Sequence, residues 1–400
     1  IWQLLLQVWH RLAAPREAHP GPTFERLLEA SRAYERLVEV HYISGENLPS
    51  LYAALRALNL AEAAGPSPEL IRGWATAGAI FGFVPLRRLT SRYLERALQA
   101  SESGDPAAAA WAALVAGFYY SGLGEWNRSQ ALMDKVVAIS SQVGDGRRLE
   151  DGLSNLMMQA YLRGDIARGL RLTDELRSRA VARHADRPLS YCLQGRAYLL
   201  LDLGQADEAR HVIDQLEDVQ GRDQRSADQA LINDTFGLLA LAELRRGNLR
   251  KALTAAEMLL TRVAKQTPSN YSTIAAYAAP AEVYAEAWRL APFDRDLPRQ
   301  LKRALRMLKR YARVFPIGRP RFLVWQGVYN ELRGRGNRAL RDLEMSLAEA
   351  VRLQMRLDEM RVLKELARFL GDSHPAARDY RSRAKNILAE VNVDSATTAA

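Results

Sequence analysis

Histidine, cysteine and paired carboxylates are where chemistry would show first, because they bind metals, attack electrophiles and move protons near neutral pH. The six histidines, His10, His19, His41, His184, His211 and His374, lie far apart in sequence, and no two stand four apart on one helix face as a zinc pair would. The single cysteine, Cys192, excludes an internal disulfide and a multi-cysteine zinc site, and fits a reducing compartment. The pairs Glu150/Asp151 and Asp294/Asp296 fall at helix entries or corners, where the helix dipole accounts for them. The chain has no Gly-x-x-x-x-Gly-Lys-Ser/Thr phosphate loop and no Gly-x-Ser-x-Gly nucleophile elbow. No catalytic residue, metal or cofactor is expected, and the sequence points to recognition rather than reaction.

The charge that could recognise something is basic. Lysine and arginine total 56 against 46 acids, a net charge of +10, and most of the excess is spread along helices beside acids as solvated faces. One stretch differs, because no acid occurs from Leu297 to Asn330. Within it Arg299, Lys302, Arg303, Arg306, Lys309, Arg310 and Arg313 form one stripe of a helix and Leu301, Ala304, Leu305, Leu308 and Ala312 the other. Arg319 and Arg321 extend it. Two readings stand: a solvated outer face, or a docking surface for an acidic partner through Lys302, Arg303, Arg306, Lys309, Arg310 and Arg313. Nucleic acid is the weaker partner, since no exposed aromatics interleave with the stripe to stack bases.

What positions these residues is a repeat. Gly124, Gly164, Gly204, Gly247 and Gly334 are separated by 40, 40, 43 and 87 residues, and Gly45 fits one double period upstream. Five positions after these glycines stand Ser50, Ser129, Gly169, Ala209, Ala252 and Ala339. Seven positions before the later five stand Gly117, Met157, Ala197, Ala240 and Gly327. Small residues on two consecutive helices let the backbones approach, and the glycine between them ends the first helix in the left-handed conformation. The expected fold is all-α: a right-handed α-solenoid of tetratricopeptide-like helix-turn-helix repeats of about 40 residues, with about nineteen helices and no sheet. HEAT or armadillo arrays also have periods in this range, but the glycine-to-small spacing favours the tetratricopeptide frame.

The frame also assigns a domain plan. Residues 1–21 read as an N-terminal helix and linker packing on preceding material, 22–354 as a superhelix of about eight repeats, 355–391 as capping helices and 392–400 as a disordered tail. The segment 264–273 reads as a flexible loop. Ala107 to Gly124 carries no charge, but its place in the frame makes it a buried helix rather than a membrane span.

In such an array the first helix of each repeat lines the concave side. The frame places Trp111, Phe118, Tyr161, Tyr191, Tyr198 and Arg321 there, joined by Ser154, Gln194, Asp234 and Arg245. These residues either pack between helices or line a groove for an extended peptide or neighbouring domain.

Two stretches carry a resemblance. "SLYAALRALNLAEAAGPSPEL" (50–70) and "GRPRFLVWQGVYNELRGRGNRAL" (318–340) resemble the C-terminal helical-repeat region of large bacterial signalling ATPases, which pair a STAND or AAA-type module with cyclase or kinase domains, and that of maltose-regulator-like activators. The resemblance implies a cytoplasmic, non-catalytic sensor or scaffold arm that binds a protein, a peptide or its own upstream ATPase module. The alternative is an inducer-binding groove for a peptide or small molecule. No catalytic residue carries over, because the family's nucleotide and cyclase motifs are absent here.

Overall fold

The computed structural model describes residues 2–3, 6–7, 21–84, 86–102, 104–222, 228–264 and 266–397, the last six by backbone alone. Among them are eighteen α-helices, one 3-10 turn and no strand. They follow one another as hairpins: α1 (Pro22–Ile43) and α2 (Asn47–Ala64), α3 (Pro68–Phe83) and α4 (Arg87–Ala100), α5 (Pro106–Leu123) and α6 (Trp126–Val143). Next come α7 (Gly146–Arg163) and α8 (Ile166–Ala182), α9 (Asp186–Asp202) and α10 (Ala206–Arg222), α11 (Gln229–Arg245) and α12 (Leu249–Val263). The last are α13 (Ile274–Leu290) and α14 (Leu297–Val314), α15 (Arg319–Leu332) and α16 (Gly336–Arg352), α17 (Arg356–Leu370) and α18 (Pro375–Thr397). The chain divides into two compact units, residues 1–121, 125–152 and 225–230 in one and 122–124, 153–224 and 231–400 in the other.

Each hairpin closes where the spacing of small residues places it. All six turn glycines, from Gly45 to Gly334, have φ between 71° and 81°, the left-handed region that costs a side chain its Cβ clearance. The small residues five positions on are buried: Ser129, Ala209, Ala252 and Ala339 are all 0% exposed. They let the two helices of a hairpin approach closely. Ser129 Oγ donates to the Gly117 carbonyl at 2.6 Å, and a Cβ at Gly327 would lie 3.2 Å from the Ala339 carbonyl oxygen. Between hairpins, Ser67 caps α3 by accepting from the Leu70 amide at 3.2 Å, with Pro68 in the first turn, as the run Gly-Pro-Ser-Pro requires.

Within the second unit α13 is the most enclosed element. Fourteen of its seventeen residues are buried, so it is covered on all sides rather than on one stripe. Gly237 of α11 admits it, because a Cβ there would sit 2.5 Å from the Ala275 carbonyl carbon. The outer helix α14 behaves differently, burying Leu301, Leu305 and Leu308 on one face, each contributing about 1.5–3 kcal/mol.

One expectation needs correction. The segment read as a flexible loop is packed: Tyr271 is 1% exposed, its hydroxyl donates to Asn155 Oδ1 at 2.9 Å, and Tyr311 donates to its carbonyl. Most of 1–21 lies outside the described residues, but Gln3 and Gln7 are buried and bonded to Asn59, with Tyr93 donating to Gln7. At those positions the opening packs on its own chain. At the other end α18 runs to Thr397, so the expected tail from 392 carries helical backbone up to there, and 398–400 lie outside the described residues.

The two glycine roles separate in a stability measurement. Gly204→Ala meets no atom within 4 Å and has only its φ of +81° to overcome, so urea denaturation should show a loss of about 1 kcal/mol. Gly237→Ala must push α11 away from the α13 backbone and should lose about 3 kcal/mol or more.

Candidate functional site

The first helices of successive hairpins carry polar side chains one repeat apart, and these meet. In the second unit Tyr161 of α7 donates to Asp202 of α9 at 2.7 Å, and Gln194 of α9 donates to Asp234 of α11 at 2.6 Å. Arg245 of α11 pairs with Glu282 of α13, and Arg321 of α15 with Asp358 of α17 at 2.8 Å. The first unit repeats the device at Arg32–Glu69, Arg72–Glu35 and Trp111–Thr76, between α1, α3 and α5. Separations of 35 to 41 residues in these pairs equal one hairpin, so each pair is a rung between adjacent repeats.

Asp234 is the best-connected of these groups. It is 0% exposed and accepts from Gln194, from the Tyr198 hydroxyl at 2.9 Å and from the Ala276 amide at 3.1 Å. The Ala275 amide donates to the Tyr198 hydroxyl at 2.9 Å. Together Tyr198 and Asp234 satisfy two of the free amides that open α13, a task that Thr273 at its N-cap leaves undone. Burial pushes the Asp234 carboxyl up to about 6, against the Gln194, Tyr198 and backbone donors that hold it down.

A second set of contacts joins helices far apart in sequence. Arg361 of α17 donates to Asp202 at 3.0 Å and to Asp358 at 2.6 Å, while Arg321 reaches the Tyr161 hydroxyl at 3.4 Å. The Tyr161 and Tyr198 rings lie 4.7 Å apart. Burial and the Asp202 carboxylate hold the Tyr161 phenol well above its ordinary range. Arg289 of α13 adds pairs with Glu286, Glu331 and Glu365, and α18 packs on α8. Glu282 is lowered: burial alone would raise it, but Arg245 and the more distant Arg361 and Arg321 outweigh that.

The ten groove candidates therefore divide. Tyr161, Gln194, Tyr198, Asp234 and Arg321 are between 0% and 4% exposed and form one connected network. The expectation that these five line an open groove is corrected, because they are buried and bonded to one another, to the opening amides of α13 and to Asp202 and Asp358. Ser154 is buried too, at 9%. Tyr191 is half-buried beside Arg187, and Arg245 is exposed. Trp111 and Phe118 belong to the first unit, where Trp111 donates to Thr76 at 3.0 Å and carries Arg148 on its ring. Sequence reasoning missed Asp202, Glu282, Asp358 and Arg361. The first three stand one repeat beyond Tyr161, Arg245 and Arg321, a signal available in the spacing.

The basic helix divides as well. Arg310 donates to the carbonyls of Val263, Ala264 and Gln266, and Arg303 to that of Leu260 and to Glu257, so both complete the end of α12. Their assignment to a docking surface is corrected. Lys302, Arg306, Lys309 and Arg313 remain exposed. Among the described residues no group of histidine, cysteine and carboxylates could hold a metal, and no helix is long and apolar enough to cross a membrane.

No family model matches the chain, and no curated protein matches it. Among solved structures it is similar to a Rap protein complexed with Competence and Sporulation Factor, with 10% identity, covering 93% of this chain and 99% of that one at a TM-score of 0.67. It also matches a tetratricopeptide repeat protein from Parabacteroides merdae, with 12% identity, 84% and 99% coverage and a TM-score of 0.26. A third is the Cut9-Hcn1 hetero-tetramer of the APC/C, with 11% identity, 92% and 97% coverage and a TM-score of 0.22. The fold is an α-solenoid of tetratricopeptide-like helical hairpins.

The buried carboxyl makes stability depend on pH. Asp234 titrates near 6 in the folded chain against an ordinary value of 3.8, so its contribution is full below about 4 and is lost as pH rises through about 6. The difference in unfolding free energy between wild type and Asp234→Asn should move by about 2 kcal/mol between pH 4 and pH 7, in the sense that wild type loses relative to the variant. Urea titrations at the two pH values read it.

Proposed function

We propose that this chain is a protein-interaction scaffold with a regulatory role, which recognises a protein or peptide segment on the first-helix faces of its second unit. The observation that carries the reading is the combination of accessible and buried polar groups on those faces. Tyr191 and Arg245 are reachable from solvent, while Gln194, Tyr198 and Asp234 on the same two helices, α9 and α11, are buried in a paired network. A paired network of this kind holds side-chain positions for recognition and offers no unpaired acid or base for turnover. The similarity in fold to a Rap protein solved with Competence and Sporulation Factor supports a binding role for such an array.

The finer reading is the sensor arm of a cytoplasmic bacterial signalling ATPase, with the upstream ATPase module as one partner. It is supported by the resemblance of residues 50–70 and 318–340 to the repeat regions of such proteins. On this reading the ligand acts by biasing the contacts between α7, α9, α15 and α17, since a ligand shifts a conformational equilibrium only by its differential affinity.

A pool of synthetic linear peptides screened by thermal denaturation tests the proposal. A binder at a hundred times its Kd adds about 2.7 kcal/mol to stability and raises the melting temperature measurably. Tyr191→Ala, melting like wild type without ligand, and Arg245→Ala, which also unpairs the buried Glu282 and lowers the ligand-free melting temperature, should each weaken that binder by about tenfold or more. A binder unaffected by both substitutions, or a chain that turns over nucleotide on its own, contradicts it.

A further inference from the structure

The outer helix α14 is anomalous among the second helices of the hairpins. Helices α8, α10, α12 and α16 mix acids with bases: α10 carries Asp207, Glu208, Asp214, Glu217 and Asp218 beside Arg210 and Arg222. Helix α14 has seven cations and no acid in eighteen residues. Two of the seven, Arg303 and Arg310, are engaged at the end of α12, and Arg299 pairs with Asp296 at 2.8 Å. The other four, Lys302, Arg306, Lys309 and Arg313, are exposed and have no carboxylate partner among the described residues.

Their spacing is four, three and four residues, which places them in one row on the helix. Every adjacent pair in that row is a like-charge pair at i,i+3 or i,i+4, which destabilises the helix. A face meant only for solubility would mix signs, as the other outer helices do, and avoid the repulsion. Beside the row Lys309 lies 5.7 Å from the ring centre of half-buried Phe322.

We infer that the outer face of α14 is a docking surface for an acidic helical segment of a protein partner, whose carboxylates pair with Lys302, Arg306, Lys309 and Arg313 in register. The row extends about 16 Å at 1.5 Å per residue, the length of three turns of a facing helix. Nucleic acid fits less well, because the row lacks the stacking platforms that hold single strands. Neither does the inference depend on the inward-facing reading, because α14 presents this row on residues that take no part in the network around Asp234.

The test uses the full chain and a synthetic helical peptide of about 21 residues, long enough to hold helix, with glutamates spaced four, three and four. A second peptide has the same composition in scrambled order, and a single-stranded oligothymidylate is the third probe. Two double variants change net charge equally: Arg306→Glu with Lys309→Glu in the row, and Arg338→Glu with Arg341→Glu on the exposed side of α16. The registered peptide should bind more tightly than the scrambled one and weaken with salt. The α14 variant should lose about tenfold or more in affinity, while the α16 variant stays within about twofold. The α14 variant should also melt no lower than wild type, because it relieves the repulsion and places an acid four residues before Arg313. Equal binding of the two peptides, equal losses in the two variants, or preference for the oligothymidylate overturns the inference. A peptide pool that fails against Tyr191 and Arg245 would leave this result untouched, and the reverse holds as well.

Discussion

Where Ser129 Oγ meets the Gly117 carbonyl and Ala339 faces Gly327, small residues let the two helices of a hairpin approach closely, and that close approach fixes how each hairpin packs. Hairpins packed alike bring the same inward position of successive first helices into register. Polar side chains at those positions then lie within hydrogen-bond reach one repeat apart, as Gln194–Asp234 and Arg321–Asp358 do. Buried polar groups must be paired, so the rungs follow from the packing rather than adding to it. Close packing of small residues is thus the constraint behind both the stability of each hairpin and the polar character of the inward faces.

The second unit carries this further than nearest neighbours. Repeat arrays are stabilised mainly by contacts between adjacent units. Here Arg361 and Arg321 reach Asp202 and Tyr161, residues of hairpins far back in the chain, and α18 packs on α8. A pair as buried as Arg321–Asp358, at 4% and 2% side-chain exposure, contributes little net energy when intact but costs several kcal/mol when one partner is removed. Such pairs specify which helices meet more than they add to stability. They also make the closed arrangement a defined state that a ligand could favour or disfavour.

The fold was legible because its signals are local. The turn glycines needed positive φ and have it, the small residues needed burial and have it, and the Ser67–Pro68 start of α3 is capped as its sequence suggests. The candidate site was half legible. Projection along the frame placed Tyr161, Tyr198, Gln194, Asp234 and Arg321 on one face but could not say that the opening of α13 would bond Tyr198 and Asp234 or that Arg321 would reach Tyr161, since those contacts depend on long-range packing. The same limit applies to Arg303 and Arg310, whose positions on the polar stripe of α14 gave no hint of the α12 carbonyls they satisfy. Tyr271 was missed because a proline- and serine-rich segment reads as loop whether or not one aromatic anchors it.

The contacts between distant helices are the part of the account that local sequence does not dictate, and one pair isolates them. A double-mutant cycle on Asp202→Ala and Arg361→Ala, followed by urea denaturation, measures the coupling between α9 and α17 directly. Closure of the second unit predicts a coupling of about 1–3 kcal/mol for this largely buried pair. Losses that add within about 0.5 kcal/mol would contradict it and return the unit to an open array held by neighbouring hairpins alone.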